Sequence, residues 1–363
     1  MPAVSKNGAV RGGSVRYGSA LLGVVVGSSV SAPVNTVNPV VTGVGLVGQT
    51  MSTTNGTWTG GVDSYSYQWQ ANGIDIFGAT SSTYQVTIDK EGASIRCVVT
   101  ATNAGGSTPA NSNAIHNWTP LHDDTSLEFL HDPSYPDGLT ASGGRVSQID
   151  DRSTNGFDLT QTVSADQPRT GSDTIGGLNC LGSEDAARWM RTTAAVSMPS
   201  SGNLATFIVF ENLSAPSAAN ASIVSQSGTA DYQYEANNIT DFDGEFTGGV
   251  CAGFTLSGSP HNGPSVHGVI LDWTGGTVSV NVDGTERNSV SYTTQLSSPN
   301  VLVLGRNRGQ RNGLTDAWGV HVGTSDVSSA NIERYEGFIA WRYGLQAKLR
   351  SDHTYKLSPP MAA

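Results

Sequence analysis

The sequence predicts an all-β chain built as two β-sandwiches behind an extended amino-terminal arm, with one helix near the carboxyl end. Three observations predict it. Charged residues are 13% of the 363-residue chain while glycine fills 44 positions, a balance that suits strands and turns and excludes long helical bundles. Short apolar-alternating runs recur between turn dipeptides such as Asn72-Gly73 and Asp283-Gly284. A single late stretch, Ser328 to Leu345, carries helical spacing. The length exceeds what one core usually fills, and the chain divides into residues 1–31, 32–117 and 118–363.

The net charge of −11 repels phosphate backbones and anionic lipid, so nucleic acid is not an expected partner. The three cysteines, Cys97, Cys180 and Cys251, are too few and too scattered for a disulfide framework or a zinc site and are expected as buried free thiols. The longest apolar run near the amino terminus, Ala20 to Val26, falls far short of the roughly 20 residues a membrane helix needs, which argues against membrane insertion.

Residues 1–31 hold Lys6, Arg11 and Arg16 and no acid, since the first carboxylate is Asp63. They admit two readings. One is a signal peptide, with a basic start, a short apolar run and small residues near Ser29 to Ala32. The other is a Gly/Ser-rich attachment arm whose strand-like pieces, Ser14 to Tyr17 and Leu21 to Val26, need a neighbour to stay ordered. The arm is the reading taken forward, with another protein subunit as its neighbour and the chain's own body as the alternative.

In residues 32–117, Tyr65, Tyr67 and Trp69 alternate before the Asn72-Gly73 turn, and Ile95, Cys97 and Val99 share one face of a later strand. A tryptophan on a middle strand followed 28 positions later by a cysteine resembles immunoglobulin-like domains of the bacterial and phage type. The chain departs from antibody domains twice. No cysteine stands in Leu46 to Thr54, where a disulfide partner would fall, and Ile95 occupies the place of a corner tyrosine. Trp69 and Cys97 are expected as core, and the domain as a spacer or adhesion module.

From Trp118 onward, strands are expected at Arg145 to Ile149, Asn203 to Leu213, Ser265 to Trp273, Gly276 to Val290 and Asn300 to Gly309, a set that suits a two-sheet jelly roll. Arg145-Val146-Ser147-Gln148, the Asp-rich loop closing at Asn155-Gly156, the Val282-Asp283-Gly284-Thr285 hairpin, the strand from Val301 to Asn307 and the closing Glu336 to Trp341 with Gly344-Leu345 together resemble concanavalin A-like, laminin-G-like domains of phage and bacterial surface proteins. The resemblance spans roughly residues 120–360. In the helical stretch Ile332, Tyr335, Ile339 and Arg342 or Tyr343 recur on one stripe, Glu333 and Arg334 face water, Ser328 or Ser329 caps the start and Gly344 suits the stop. The resemblance implies a lid closing an edge or end of the sandwich, anchored by Trp341.

Many glucanases share this jelly roll and set alternating carboxylates on one strand. The nearest approach is Asp241, Asp243 and Glu245. Gly244 interrupts the run, the preceding residues read as a loop, and solvated loop acids are expected, with a cation site or a catalytic pair as the alternatives. Calcium would need about six or seven oxygen ligands, of which these supply a start; no other cofactor is expected. Asp150, Asp151 and Asn155 read as turn-formers. Arg306, Arg308 and Arg311 form a basic cluster, read as a solvated loop or as a contact for acidic glycans. The seven histidines never adopt a metal-ligand spacing and are expected singly at the surface.

The resemblance implies a non-enzymatic virion surface protein of a bacteriophage, a tail-fibre adhesin or a head decoration protein. It would be a homo-oligomer held to other virion proteins by residues 1–31 and able to contact host-surface glycans. The alternative is a secreted bacterial polysaccharide-binding protein or glycoside hydrolase.

Overall fold

A computed structural model of the chain describes residues 30–182, 188–192, 203–212, 221–227, 231–236, 241–247, 251–257, 263–291, 301–304 and 316–362. Lys6, Arg11 and Arg16 of the arm, and Arg306, Arg308 and Arg311, lie outside the described residues.

The chain is all-β. In its first part, the strand Ser64–Ala71 pairs antiparallel with Ile95–Asn103, which places Trp69 directly opposite Cys97. Ile74–Asp75 and Gly106–Asn111 complete that sheet. A second sheet joins Val41–Thr42, Thr50–Thr53 and Thr83–Gln85. Both sheets feed one core of Val41, Met51, Trp69, Tyr84, Cys97 and Val99, the condition for a sandwich. Met51 lies buried on the strand that faces Trp69's sheet, so the space that a second cysteine would use is filled by packing. At Asn72 and Gly73 φ is 51° and 81°, the two left-handed positions of a type I′ turn.

The second part is a larger two-sheet jelly roll. One sheet runs through Thr285–Ser291, Thr277–Val282, Ser265–Asp272, Leu204–Asn212 and Asp316–Thr324, whose far side is shared by Leu127–His131 and Leu178–Gly182. The other contains Met190–Thr192, Val301–Leu304, Ala221–Ser227, Asp231–Ala236, Asp241–Thr247 and Cys251–Ser257. Asp283 and Gly284, at φ 51° and 74°, make the second hairpin turn.

The terminal helix, Ser329–Arg342, starts where the Ser328 hydroxyl accepts the Asn331 N–H at 3.4 Å and stops before Gly344 at φ 71°. It lies against a sheet face rather than closing an edge or end. Tyr335, Phe338 and Ile339 pack with Ala205, Phe207 and Val209 and with Val320 and Val322, and Tyr335 stacks on Phe207 at 5.2 Å. This third layer explains why Leu204 to Phe210 and Ser265 to Leu271 are buried at every position: both faces of these strands are covered, so alternation gives way to continuous apolar runs. Trp341 donates its indole N–H to the Tyr355 carbonyl at 2.7 Å. Arg334 is exposed and Glu333 is half-buried, bonded to Arg350.

The two sandwiches are joined by buried contacts. Leu46, from the first part of the chain, belongs to the second core. Gly45 N–H donates to Asn117 Oδ1 at 2.6 Å. Arg342, wholly buried at the end of the helix, donates to Glu91 Oε1 at 2.8 Å and to Asp132 Oδ2 at 2.8 Å, and so ties the first sandwich to the second.

Candidate functional site

The alternating acids lie on a strand, which corrects the loop reading. Asp241, Asp243 and Glu245 occupy alternate positions of Asp241–Thr247, and Gly244 sits inside it without breaking the register to Asp231–Ala236. Toward Cys251–Ser257 the register shifts between Gly244 and Phe246, the irregularity that a glycine inside a strand often marks. The side chains of these acids lie outside the described part.

The Asp-rich loop serves the backbone. Asp151 accepts from the N–H groups of Leu130 and Ser153 at 2.9 Å, from the Ser153 hydroxyl at 2.7 Å and from Phe157 N–H at 2.9 Å. Asp158 accepts from Asp151 N–H at 2.8 Å. Among the described residues no group of three or more His, Cys, Asp or Glu is placed to hold a metal ion.

The histidines depart from the surface expectation, because His131, His267, His321 and His353 are buried. Each is held by a specific contact: His131 and His321 face each other, His267 bonds Ser265 at 2.6 Å, and His353 lies 3.3 Å from Glu336. Of the cysteines, Cys97 and Cys180 are free and buried. Burial pushes their thiols up to about 11 and about 12 respectively, which leaves them inert near neutral pH.

Around Arg342, burial opposes the guanidinium charge, but Asp132 and Glu91 outweigh it and hold the pKa above its ordinary value. Glu91 is pushed up by burial against the pull of Arg342. Arg152 stacks over the Tyr135 ring at 3.5 Å and Arg342 lies 5.2 Å from the same ring. The arrangement is structural: it sets one buried cation between two buried carboxylates.

A groove lies on the first sandwich, beside the Asn72-Gly73 hairpin. Ile76 points inward and donates its N–H to the Trp69 carbonyl at 2.9 Å. The chain turns at Gly78, with φ 75°, and the Ala79 carbonyl accepts from Trp69 N–H at 3.0 Å. With both neighbours pinned to the strand, Phe77 between them is left fully exposed, at 104%, and Ile74 is 74% exposed. Phe77 stands at the lip of a groove of about 490 Å³, lined also by Thr80, Ser81, Thr83, Gln85 and the Asp89–Lys90 pair. A smaller groove of about 350 Å³ beyond the hairpin shares Asp89 and Lys90. An aromatic face beside hydroxyls, an amide and a carboxylate can stack on an apolar ring face while exchanging hydrogen bonds at its edge. Sequence reasoning passed over Phe77. Its signal is a lone aromatic in a run of Gly, Ala, Ser and Thr from Gly78 to Thr83.

No protein-family profile matches the chain, and no curated protein matches it. Among solved structures it is similar to a Trypanosoma rangeli sialidase, with 9% identity over 71% of this chain and 43% of that one at a TM-score of 0.42. It is also similar to the receptor-binding domain of botulinum neurotoxin D, with 10% identity over 58% of this chain and 52% of that one at 0.38. The chain thus spans about half the length of the structures it matches. What these likenesses share with the chain is β-rich architecture. The expectation that the chain is non-enzymatic is corrected, because the first of these structures is an enzyme. That exclusion is withdrawn, and a likeness of this size assigns no activity in its place.

Proposed function

We propose that this chain is a modular surface protein of a bacteriophage particle that contacts saccharide. In this reading residues 1–31 hold it to other virion proteins, the immunoglobulin-like sandwich and the jelly roll are held as one body, and the Phe77 groove is a saccharide platform. The observation that carries the saccharide reading is the fully exposed Phe77 ring beside a polar groove. A pyranose offers one apolar face and a rim of hydroxyls that match an exposed aromatic ring beside polar side chains.

The test is a glycan array read with the whole chain and with Phe77→Ala. The side chain is wholly exposed, so the variant should unfold at the same denaturant concentration as the parent. Its binding to any glycan the parent selects should weaken by at least about tenfold, the equivalent of about 1.4 kcal/mol. Unchanged binding in Phe77→Ala would place the saccharide elsewhere.

A second reading, hydrolysis of a polysaccharide, draws on the alternate strand positions of Asp241, Asp243 and Glu245, the pattern that lets two carboxylates flank a glycosidic bond. It predicts release of reducing ends from β-glucan by the parent and at least a hundredfold slower release by Asp243→Asn; a parent inactive on such substrates removes it.

A further inference from the structure

His131 ends the strand Leu127–His131 and stands directly opposite His321 of Asp316–Thr324. Both rings are buried, 5.6 Å apart and within 17° of parallel, and the Phe129 ring lies 5.4 Å from one and 4.8 Å from the other. Their Nδ1 atoms are 3.4 Å apart. His131 Nε2 lies 2.8 Å from the Phe157 carbonyl oxygen, which only accepts, so the proton of neutral His131 sits on Nε2. Its bare Nδ1 must then accept, and His321 donates from Nδ1. His321 Nε2 is left without a proton, and among the described residues it is buried with no hydrogen-bond partner.

This arrangement holds two neutral rings and no more. A proton added to His131 Nδ1 would set N–H against N–H. A proton added to His321 Nε2 would place a charge where no acceptor receives it. The charged groups that act on the pair are Asp151 and Asp158, which favour the charged form of His131. Both already accept hydrogen bonds from their own loop. Burial outweighs them and holds both histidines below their ordinary value, His321 well below it.

The pair lies within the second sandwich and adjoins its junction with the first through the chain. Asp132, the next residue after His131, binds Arg342. Phe157, gripped by His131, closes the loop whose Arg152 stacks on Tyr135 beside Arg342.

We propose that His131 and His321 form an acid-sensitive clasp, which keeps the first sandwich fixed to the second at neutral pH and loosens the Arg342 junction when a ring takes a proton. The sign follows from linkage. An unfolded histidine titrates near about 6.5, and the folded pair titrates lower. The stabilisation is therefore complete above the unfolded value and is lost as pH falls through it toward the folded values. In that window each histidine lowers the folding constant by up to about tenfold per pH unit, and the pair by up to about a hundredfold. Glu91, raised by burial, binds its proton earlier in the folded state and acts in the opposite sense.

The experiment is urea unfolding of the whole chain at pH 8, 7, 6 and 5, with His321→Asn beside the parent, since the asparagine amide can donate from about the Nδ1 position. The parent's folding constant should fall by up to about tenfold more per pH unit than the variant's. Hydrogen exchange in Leu127 to Tyr135 and in the last turn of the terminal helix, corrected for intrinsic rate, should rise from pH 7.5 to 5.5 in the parent. Equal pH dependence in parent and variant overturns the clasp, and unchanged exchange at the junction overturns its coupling to Arg342. Should His321→Asn fail to fold at pH 8, ring-carbon NMR titration of the unmodified chain decides: a His321 value near the free 6.5 overturns the proposal, and one well below it supports it.

Discussion

Arg342→Met is expected to destabilise the chain by about 3–5 kcal/mol, because it leaves the Glu91 and Asp132 carboxylates buried without their cation. The long methionine side chain retains much of the contact with the Phe338 and Tyr135 rings, which lie 5.8 Å and 5.2 Å from the guanidinium carbon, so lost volume is the smaller part of the effect. Urea unfolding followed by tryptophan fluorescence should show more than a lower midpoint. With the junction broken, one cooperative transition should separate into two, the first sandwich melting ahead of the second. Adding Glu91→Gln and Asp132→Asn to Arg342→Met removes the stranded charges and should recover most of the loss. The amide oxygen that Asp132→Asn introduces still accepts from Ser134 N–H, as the Asp132 carboxylate does at 2.9 Å. A triple variant as unstable as the single one would show that geometry, and not charge, sets the cost.

That junction also marks how far the sequence could be read. Local signals carried well: the Asn72-Gly73 and Asp283-Gly284 turns need only the left-handed tolerance of their own residues. Ser328 and Gly344 bound the helix through their own backbone chemistry. The stripe Tyr335, Ile339 and Arg342 was visible as a period, yet nothing in a period says that its last member meets a carboxylate 251 positions earlier. The helix position failed for a related reason. Its apolar stripe shows that it covers something, whereas the unbroken burial of Leu204 to Phe210 shows what it covers. The buried histidines were misjudged because residue type argues for the surface and only the pairing of His131 with His321 across strands argues against it. Phe77 was missed because its exposure follows from the inward pinning of Ile76 and Ala79 by Trp69, a tertiary constraint. The spacing of Asp241, Asp243 and Glu245 was legible, but their strand was not, since its hydrogen bonds come from neighbours distant in sequence.

Trp69→Ala is expected to cost the first sandwich about 3–5 kcal/mol, the usual penalty for emptying a buried aromatic site. That is a large share of the roughly 5–15 kcal/mol that holds a domain of ordinary stability. No covalent bond cushions the loss, because the cysteine opposite Trp69 is free. The indole also donates to the Ser81 carbonyl at 2.8 Å, so the segment that carries Phe77 loses a fastening along with its core. The two described thiols report where the damage stops. Cys97 lies in the core that Trp69 fills and Cys180 in the core of the second sandwich. Peptide-resolved alkylation of the variant at pH 8 should therefore label Cys97 much faster than in the parent. Labelling of Cys180 reads the junction directly. If Arg342 couples the sandwiches as tightly as its two short ion pairs imply, Cys180 labelling rises with that of Cys97. If the contact is passive, Cys180 stays protected and the second sandwich stands without the first.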